Sequence, residues 1–486
     1  MYLGIDLGTS GIKAMLVDEN FATIGVAHAA LRVSRPHPTW SEQDPADWIS
    51  ACEEAIATLA RAHATELAQL QAIGLSGQMH GATLLDASDT VLRPCILWND
   101  TRSGPQCETL TRRADFHGLA GNLVMAGFTA PKLLWVAENE PDIFERVARV
   151  LLPKDYLRLW LTGEYVSDMS DAAGTLWLDV KKRDWSDTLL EATGLTRAHM
   201  PSLVEGSAVS GTLRAELAER WGVPRVVVAG GGGDNAATAC GMGVIKPGTG
   251  FLSLGTSGVL FASSEEYAPN TQEAVHTFCH AIPETWHQMG VILSATDSLS
   301  WLSEISGKSV PELAALVPDS IKTPSAIGFL PYLSGERTPL NAPDASGAFL
   351  GLRRNATLAD LVQGVMEGVA FAFADCVHAL RSAGTAIDAA YAVGGGARSQ
   401  GWLRILASVT GLTLLEPEEG DFGAAFGAAK LGAAAVTGDH SARVFASPKV
   451  RAEIVSDPIL SSRYAKKYED YHAAYGRVHD LFKIQS

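Results

Sequence analysis

The 486 residues exceed the ~250 to 300 at which one hydrophobic core stops growing, and 47% are hydrophobic against 19% charged, so two packed domains with a cleft between them are expected rather than a disordered chain. Lysines and arginines number 38 against 54 aspartates and glutamates; the net charge of −16 argues against nucleic acid or an anionic membrane as partner and leaves only a local phosphate site open. No apolar run reaches the ~18 residues that span a bilayer and MYLGIDLGTS lacks the features of a secretory leader, so the chain reads as cytoplasmic and its six scattered cysteines as reduced thiols.

In chain order, apolar residues 2–5 and 12–17 flank Leu7-Gly8-Thr9-Ser10-Gly11, a hairpin signature with small residues at the turn. A third strand is expected over 23–30, then a helix from Asp44-Pro45, where Asp caps, Pro suits the first position, and Trp48, Ile49, Cys52, Ile56 and Leu59 follow at helical spacing. Strands over 72–76 and 225–228 return after helical segments. The pentapeptide of residues 7–11 recurs at 254–258, almost half a chain away and again between apolar stretches, which predicts two halves sharing a fold. Helical patterns over 358–380 and 402–410 flank a strand over 389–393, and the Ala/Gly-rich run 423–435 reads as a close-packed helix that Lys430 disqualifies as a membrane span. Hairpins leading into alternating strand and helix give fold class α/β. The Pro247-Gly248 interruption sets the expected boundary, with domains at 1–246 and 247–486.

Four segments carry residues able to handle a nucleotide. In Asp6-Leu7-Gly8-Thr9-Ser10-Gly11-Ile12-Lys13 the glycines permit a tight turn, Thr9, Ser10 and backbone N–H groups suit phosphate oxygens, and Asp6 suits Mg²⁺ directly or through water. The alternative is a surface hairpin with a solvated carboxylate. With its second copy, Gly255-Thr256-Ser257-Gly258, it would clamp a polyphosphate between the halves, unlike a P-loop, whose GxxxxGK[ST] pattern is missing. Val393-Gly394-Gly395-Gly396-Ala397-Arg398-Ser399 offers bare backbone to an adenine or ribose, or is merely a strand-to-helix turn. Asp234, after Gly230 to Gly233 and before Asn235, stands where a carboxylate could orient an attacking hydroxyl and take its proton; it could equally cap the next helix.

IDLGTSGIK, LSLGTSG, GDNAA and VGGGARS occur in the order seen in FGGY carbohydrate kinases, and the chain resembles that family from residue 2 to about residue 435. Gly127 to Asn139 resembles its first signature throughout. Gly347 to Glu367 resembles the second, with Gly364 where the family usually has Ala or Ser. The resemblance implies two ribonuclease H-like domains of the actin, hexokinase and heat-shock chaperone type, and ATP with Mg²⁺. It makes Asp234 the catalytic base and Asp6 the metal-associated acid. It gives Thr9, Ser10 and Lys13 to the first phosphate turn, Gly255 and Thr256 to the second, and Gly395, Gly396 and Ala397 to the nucleoside pocket. Ser76-Gly77-Gln78-Met79-His80-Gly81 resembles the sugar segment of members acting on D-xylulose, with Met79, His80, Trp98 and Asn235 as contacts; the Arg-Glu pair expected of glycerol-phosphorylating members is missing. The implied reaction is transfer from ATP to the 5-hydroxyl of D-xylulose. Its rivals are another ketose or polyol such as ribulose, or an ATP-dependent sugar sensor without turnover. The sequence leaves oligomeric state open, a homodimer included.

Overall fold

A computed structural model of the chain describes residues 1–418 and 420–482. The first sheet begins as the antiparallel run β1 (Tyr2–Leu7), β2 (Gly11–Val17) and β3 (Thr23–Ala30). Helix α1 (Pro45–Leu67) carries the chain back to β4 (Ala72–Gly77), parallel to β1. Asp44 caps α1 by accepting from Ala46 N, and Trp48, Cys52, Ala55, Ile56 and Leu59 bury one face against Leu3, Ile5 and Ile12 of the sheet. A long excursion follows, containing α2 (Thr129–Asn139), α3 (Pro153–Thr162) and α4 (Met169–Ala173). The chain then completes the sheet with β5 (Val209–Thr212) and β6 (Val227–Ala229), in the order β5-β6-β4-β1-β2-β3, and turns through Gly232–Gly233 into α5 (Asp234–Gly241).

The second half repeats the plan. Strands β7 (Gly248–Leu254), β8 (Gly258–Ser264), β9 (His276–Cys279) and β10 (Trp286–Ile292) lead to α6 (Thr296–Ser306) and α7 (Leu358–Ser382). Then come β11 (Ile387–Val393), α8 (Gln400–Thr410), β12 (Thr413–Pro417), α9 (Ala424–Thr437), β13 (Val450–Ile454) and α10 (Pro458–Phe482). The second sheet runs β9-β10-β8-β7-β11-β12-β13. Its stretch β10-β8-β7-β11-β12 has the same pairing senses as β3-β2-β1-β4-β6, so the repeated pentapeptide does mark a repeated fold.

Helix α9 belongs to the second half by sequence and to the first by packing. It lies on β1 and β4 and against α5, with Ala425, Ala429 and Ala433 in a core shared with Tyr2, Ala72 and Ala236. The last helix, α10, seals the second core with Leu460, Tyr464 and Tyr471, and the Tyr464 hydroxyl donates to Glu367 Oε1 at 2.9 Å. All six cysteines are free thiols, and among the described residues no helix is long and apolar enough to cross a membrane.

Candidate active site

The two glycine turns stand at equivalent strand ends of the two sheets. In the first, Gly8 N donates to Gly11 O at 3.0 Å. The Thr9 hydroxyl donates to Gln78 Oε1 and accepts from Trp98 Nε1, both at 2.9 Å, which ties the turn to the sugar-like segment. Ser10 is exposed at the tip. Lys13 is ion-paired to Asp421 of the second half, so it bridges the halves instead of standing free. In the second turn the Gly255 carbonyl accepts from Thr296 N at 2.9 Å and Thr296 Oγ1 at 2.8 Å, and the Thr256 carbonyl from Ala295 N at 2.8 Å. The side chains of Thr256 and Ser257 are left exposed.

Asp6, at the end of β1, pairs in register with Lys13 and lies beside Ser76 of β4. Its Oδ1 is buried without a hydrogen-bond partner. Burial, with the negative charge of Asp234 next, pushes its carboxyl up to about 6. An orphaned carboxylate oxygen of this kind fits Mg²⁺. No group of three His, Cys, Asp or Glu residues able to hold a metal occurs among the described residues, so such an ion would draw its other ligands from phosphate and water, which Mg²⁺ prefers.

Asp234 is the first residue of α5, with Gly233 in the cap position, so it does not cap that helix. Its Oδ1 accepts from Asn235 N at 2.7 Å and Asn235 Nδ2 at 3.0 Å, leaving Oδ2 for a substrate; burial raises its carboxyl above the usual range. The loop beneath is pinned. Gly233 N donates to Ser170 Oγ at 3.1 Å, and Ser170 Oγ donates to Asp168 Oδ2 at 2.5 Å. Lys154, fully buried, holds Asp155, Asp168 and Asp171 at 2.5, 2.9 and 3.4 Å. Nothing in the spacing of these residues announced the cluster.

Met79, His80, Trp98, Asp234, Asn235 and Ser257 line one cavity of about 250 Å³, closed from the second half by His276, Phe278 and Arg337. His80 has φ 71°, a left-handed conformation that costs a non-glycine residue about 1 to 3 kcal/mol and must be held by its surroundings. Its carbonyl accepts from Lys132 Nζ at 2.8 Å and Thr129 Oγ1 at 3.2 Å, and its Nδ1 lies 2.7 Å from Gly174 O. Burial takes the imidazole down to about 3, so the ring is neutral, Nδ1 carries the proton and Nε2 is an acceptor. Lys132, inside the first signature, also donates to Gly127 O at 2.8 Å, and burial lowers its ammonium to about 7. A second cavity of about 890 Å³ is lined by Gly395 and Gly396 with Thr296, Leu299, Pro311 and Trp402. A side chain added at Gly395 would meet open space, so bare backbone faces that cavity; Ala397 is instead buried in the second core.

Duplicated α/β halves with a glycine turn at the equivalent strand end of each have the two-domain fold of sugar kinases and actin-like ATPases. The chain belongs to the FGGY family of carbohydrate kinases, whose N-terminal domain matches residues 1–241 and whose C-terminal domain matches 250–436. It is 49% identical over 443 residues, 91% of each chain, to a xylulose kinase of Escherichia coli strain K12, and 36% identical to one of Bacillus subtilis strain 168, covering 89% of this chain and 87% of that one. Among solved structures it is similar to a xyloylose kinase from Brucella ovis, with 57% identity, TM-score 0.97 and 99% of each chain covered. Glycerol kinase from Plasmodium falciparum shares the fold at 19% identity, TM-score 0.89, with 98% and 97% covered.

Proposed function

We propose that this protein transfers the γ-phosphoryl group of ATP to the 5-hydroxyl of D-xylulose, giving D-xylulose 5-phosphate and ADP. The observation that carries the reading is the convergence of Asp234 with the Met79-His80 segment and Ser257 in one cavity lined from both halves. Oδ2 of Asp234 accepts the 5-hydroxyl proton as that oxygen bonds to the γ-phosphorus, and the bond from phosphorus to the bridging β-oxygen breaks to release ADP. Desolvation makes the carboxylate a better base than an exposed one. The neutral His80 accepts from a sugar hydroxyl through Nε2, and Met79 walls the site. Exposed donors at Ser10, Thr256 and Ser257 serve the phosphates. Mg²⁺ held at Asp6 would neutralise charge on the β- and γ-phosphates. Gly395 and Gly396 accept the nucleoside. The domain boundary falls near Pro247, supported by α5 ending at Gly241 and β7 starting at Gly248.

A coupled ADP-release assay across D-xylulose, L-xylulose, D- and L-ribulose, xylitol and glycerol tests this. D-xylulose should give the highest kcat/KM. A clear preference for ribulose or glycerol would overturn the substrate while leaving the carbohydrate kinase standing. Sugar without any ADP release would point to a sensor.

A further inference from the structure

Arg337 is a half-buried cation whose guanidinium makes no salt bridge among the described residues. It lines the sugar cavity from the second half. The neighbouring Glu336 is turned away, its Oε1 accepting from Leu293 N at 3.0 Å and from the Arg337 backbone N at 2.8 Å. The loop is fixed on its other flank by Thr338, whose Oγ1 accepts from Val291 N and donates to Ala274 O, both at 3.0 Å.

Among the described residues the guanidinium has one side-chain hydrogen bond, Nη1 to His276 Nε2 at 3.3 Å, and the proton on that histidine is dictated from behind. Asn122 is fully buried, and its Nδ2 donates to Ala120 O at 2.9 Å and Thr277 O at 2.8 Å, so its amide cannot be flipped and Oδ1 is an acceptor. Oδ1 lies 3.0 Å from His276 Nδ1, which must therefore carry the proton and leave Nε2 as the acceptor for Arg337. Burial keeps His276 neutral, in agreement. A guanidinium has five N–H donors in a rigid fork, and this one uses a single donor on His276.

The cavity otherwise has few free donors. Trp98 Nε1 is committed to Thr9 and one Asn235 amide proton to Asp234, while His80 Nε2 and Asp234 Oδ2 accept. A ketone oxygen only accepts, so it needs a donor that no other side chain here leaves free at the His80 end. Arg337 stands at that end. His276 packs on Phe128 with centroids 5.7 Å apart, and Phe128 on His80 at 4.6 Å. We propose that Arg337 binds the C2 carbonyl oxygen of the open-chain ketose, and that Asn122 and His276 are positioning residues that aim it there. This rests on the reading of the cavity as the sugar site.

The test is steady-state kinetics on Arg337→Met, with xylitol, the same carbon chain bearing a hydroxyl in place of the ketone, as competitive inhibitor. Loss of a charged donor to a buried oxygen should raise the ketose KM about 10- to 100-fold, with KM for ATP and the xylitol inhibition constant within about threefold of wild type. His276→Leu should reproduce part of the rise, and His276→Gln, which keeps an acceptor for the guanidinium, should regain most of what the leucine loses. An unchanged ketose KM in Arg337→Met overturns the proposal, as does equal weakening of ketose and xylitol, or a fall in kcat with KM for the sugar intact, which would assign Arg337 to the phosphoryl group. Arg337→Lys, retaining charge and length, keeps the test usable if the methionine variant does not fold. Wild-type protein that turns over no ketose removes the underlying reading as well, so the two failures are told apart.

Discussion

Burial first, and the charge of Asp234 second, hold a proton on Asp6, and the consequence can be measured. The folded-state value of Asp6, about 6, lies above its ordinary 3.8, so the folded protein binds the extra proton and the ionised form costs stability. Stability attached to this group is present below about pH 4 and is lost as pH rises through 6. Asp6→Asn should therefore melt higher than wild type at pH 7, by an equivalent of about 1 to 3 kcal/mol, with the difference vanishing near pH 4. The same variant should have lower kcat and need more Mg²⁺; an unchanged Mg²⁺ titration would remove Asp6 from the metal's surroundings. Asp234→Asn should lower kcat about 10²- to 10⁴-fold with nucleotide affinity little altered. Near-normal turnover would move the base to another carboxylate. Asp6, Asp234 and His80 were legible because glycines mark the turns that carry them. Asn122, His276 and Arg337 were not, because residues 154 and 61 positions apart meet only in the fold, and no spacing rule joins them.

At the scale of elements, the repeat made both hairpins and the strands behind them readable, since alternation and turn chemistry are local signals. Helix α9 was readable as a helix, but its destination was not. Its Ala/Gly composition says that something approaches closely without saying what, and the partner proves to be the other half's sheet. A Cβ at Gly74 of β4 would sit 1.7 Å from Ala428 O of α9, and one at Gly427 of α9 would sit 1.7 Å from Ala237 O of α5. Backbone cannot retreat as a flexible side chain can. Gly74→Ala should thus destabilise by about 3 kcal/mol or more, seen as a lower melting temperature and a poorer soluble yield. Gly104→Ala is the control, since nothing lies within 4 Å of its added carbon, and it should melt with wild type. Equal behaviour of the two variants would mean that the α9 crossing is looser than its geometry.

At the scale of the whole molecule, the proposed function requires a phosphoryl group to pass from a nucleotide in one cavity to a sugar in the other. The nucleoside cavity is built by the second half, while the sugar cavity takes Met79, His80 and Asp234 from the first half and His276, Phe278 and Arg337 from the second. The turn at residues 255–258 links them, since Ser257 faces the sugar cavity and Thr296, which holds the Gly255 carbonyl, faces the nucleoside one. In-line transfer needs the reacting atoms within about 3 to 3.5 Å, and a cleft wide enough to admit both substrates would not hold that geometry when open. The halves should rotate about the α5–α9 crossing and the segment near Pro247, with the Lys13–Asp421 pair forming across the gap as they meet. D-xylulose should then shrink the radius of gyration in solution scattering and tighten binding of a non-hydrolysable ATP analogue, and the analogue should tighten sugar binding by the same factor, because the coupling is reciprocal. Superimposable scattering curves with and without saturating sugar, together with an unchanged analogue affinity, would reject closure in favour of a preformed site.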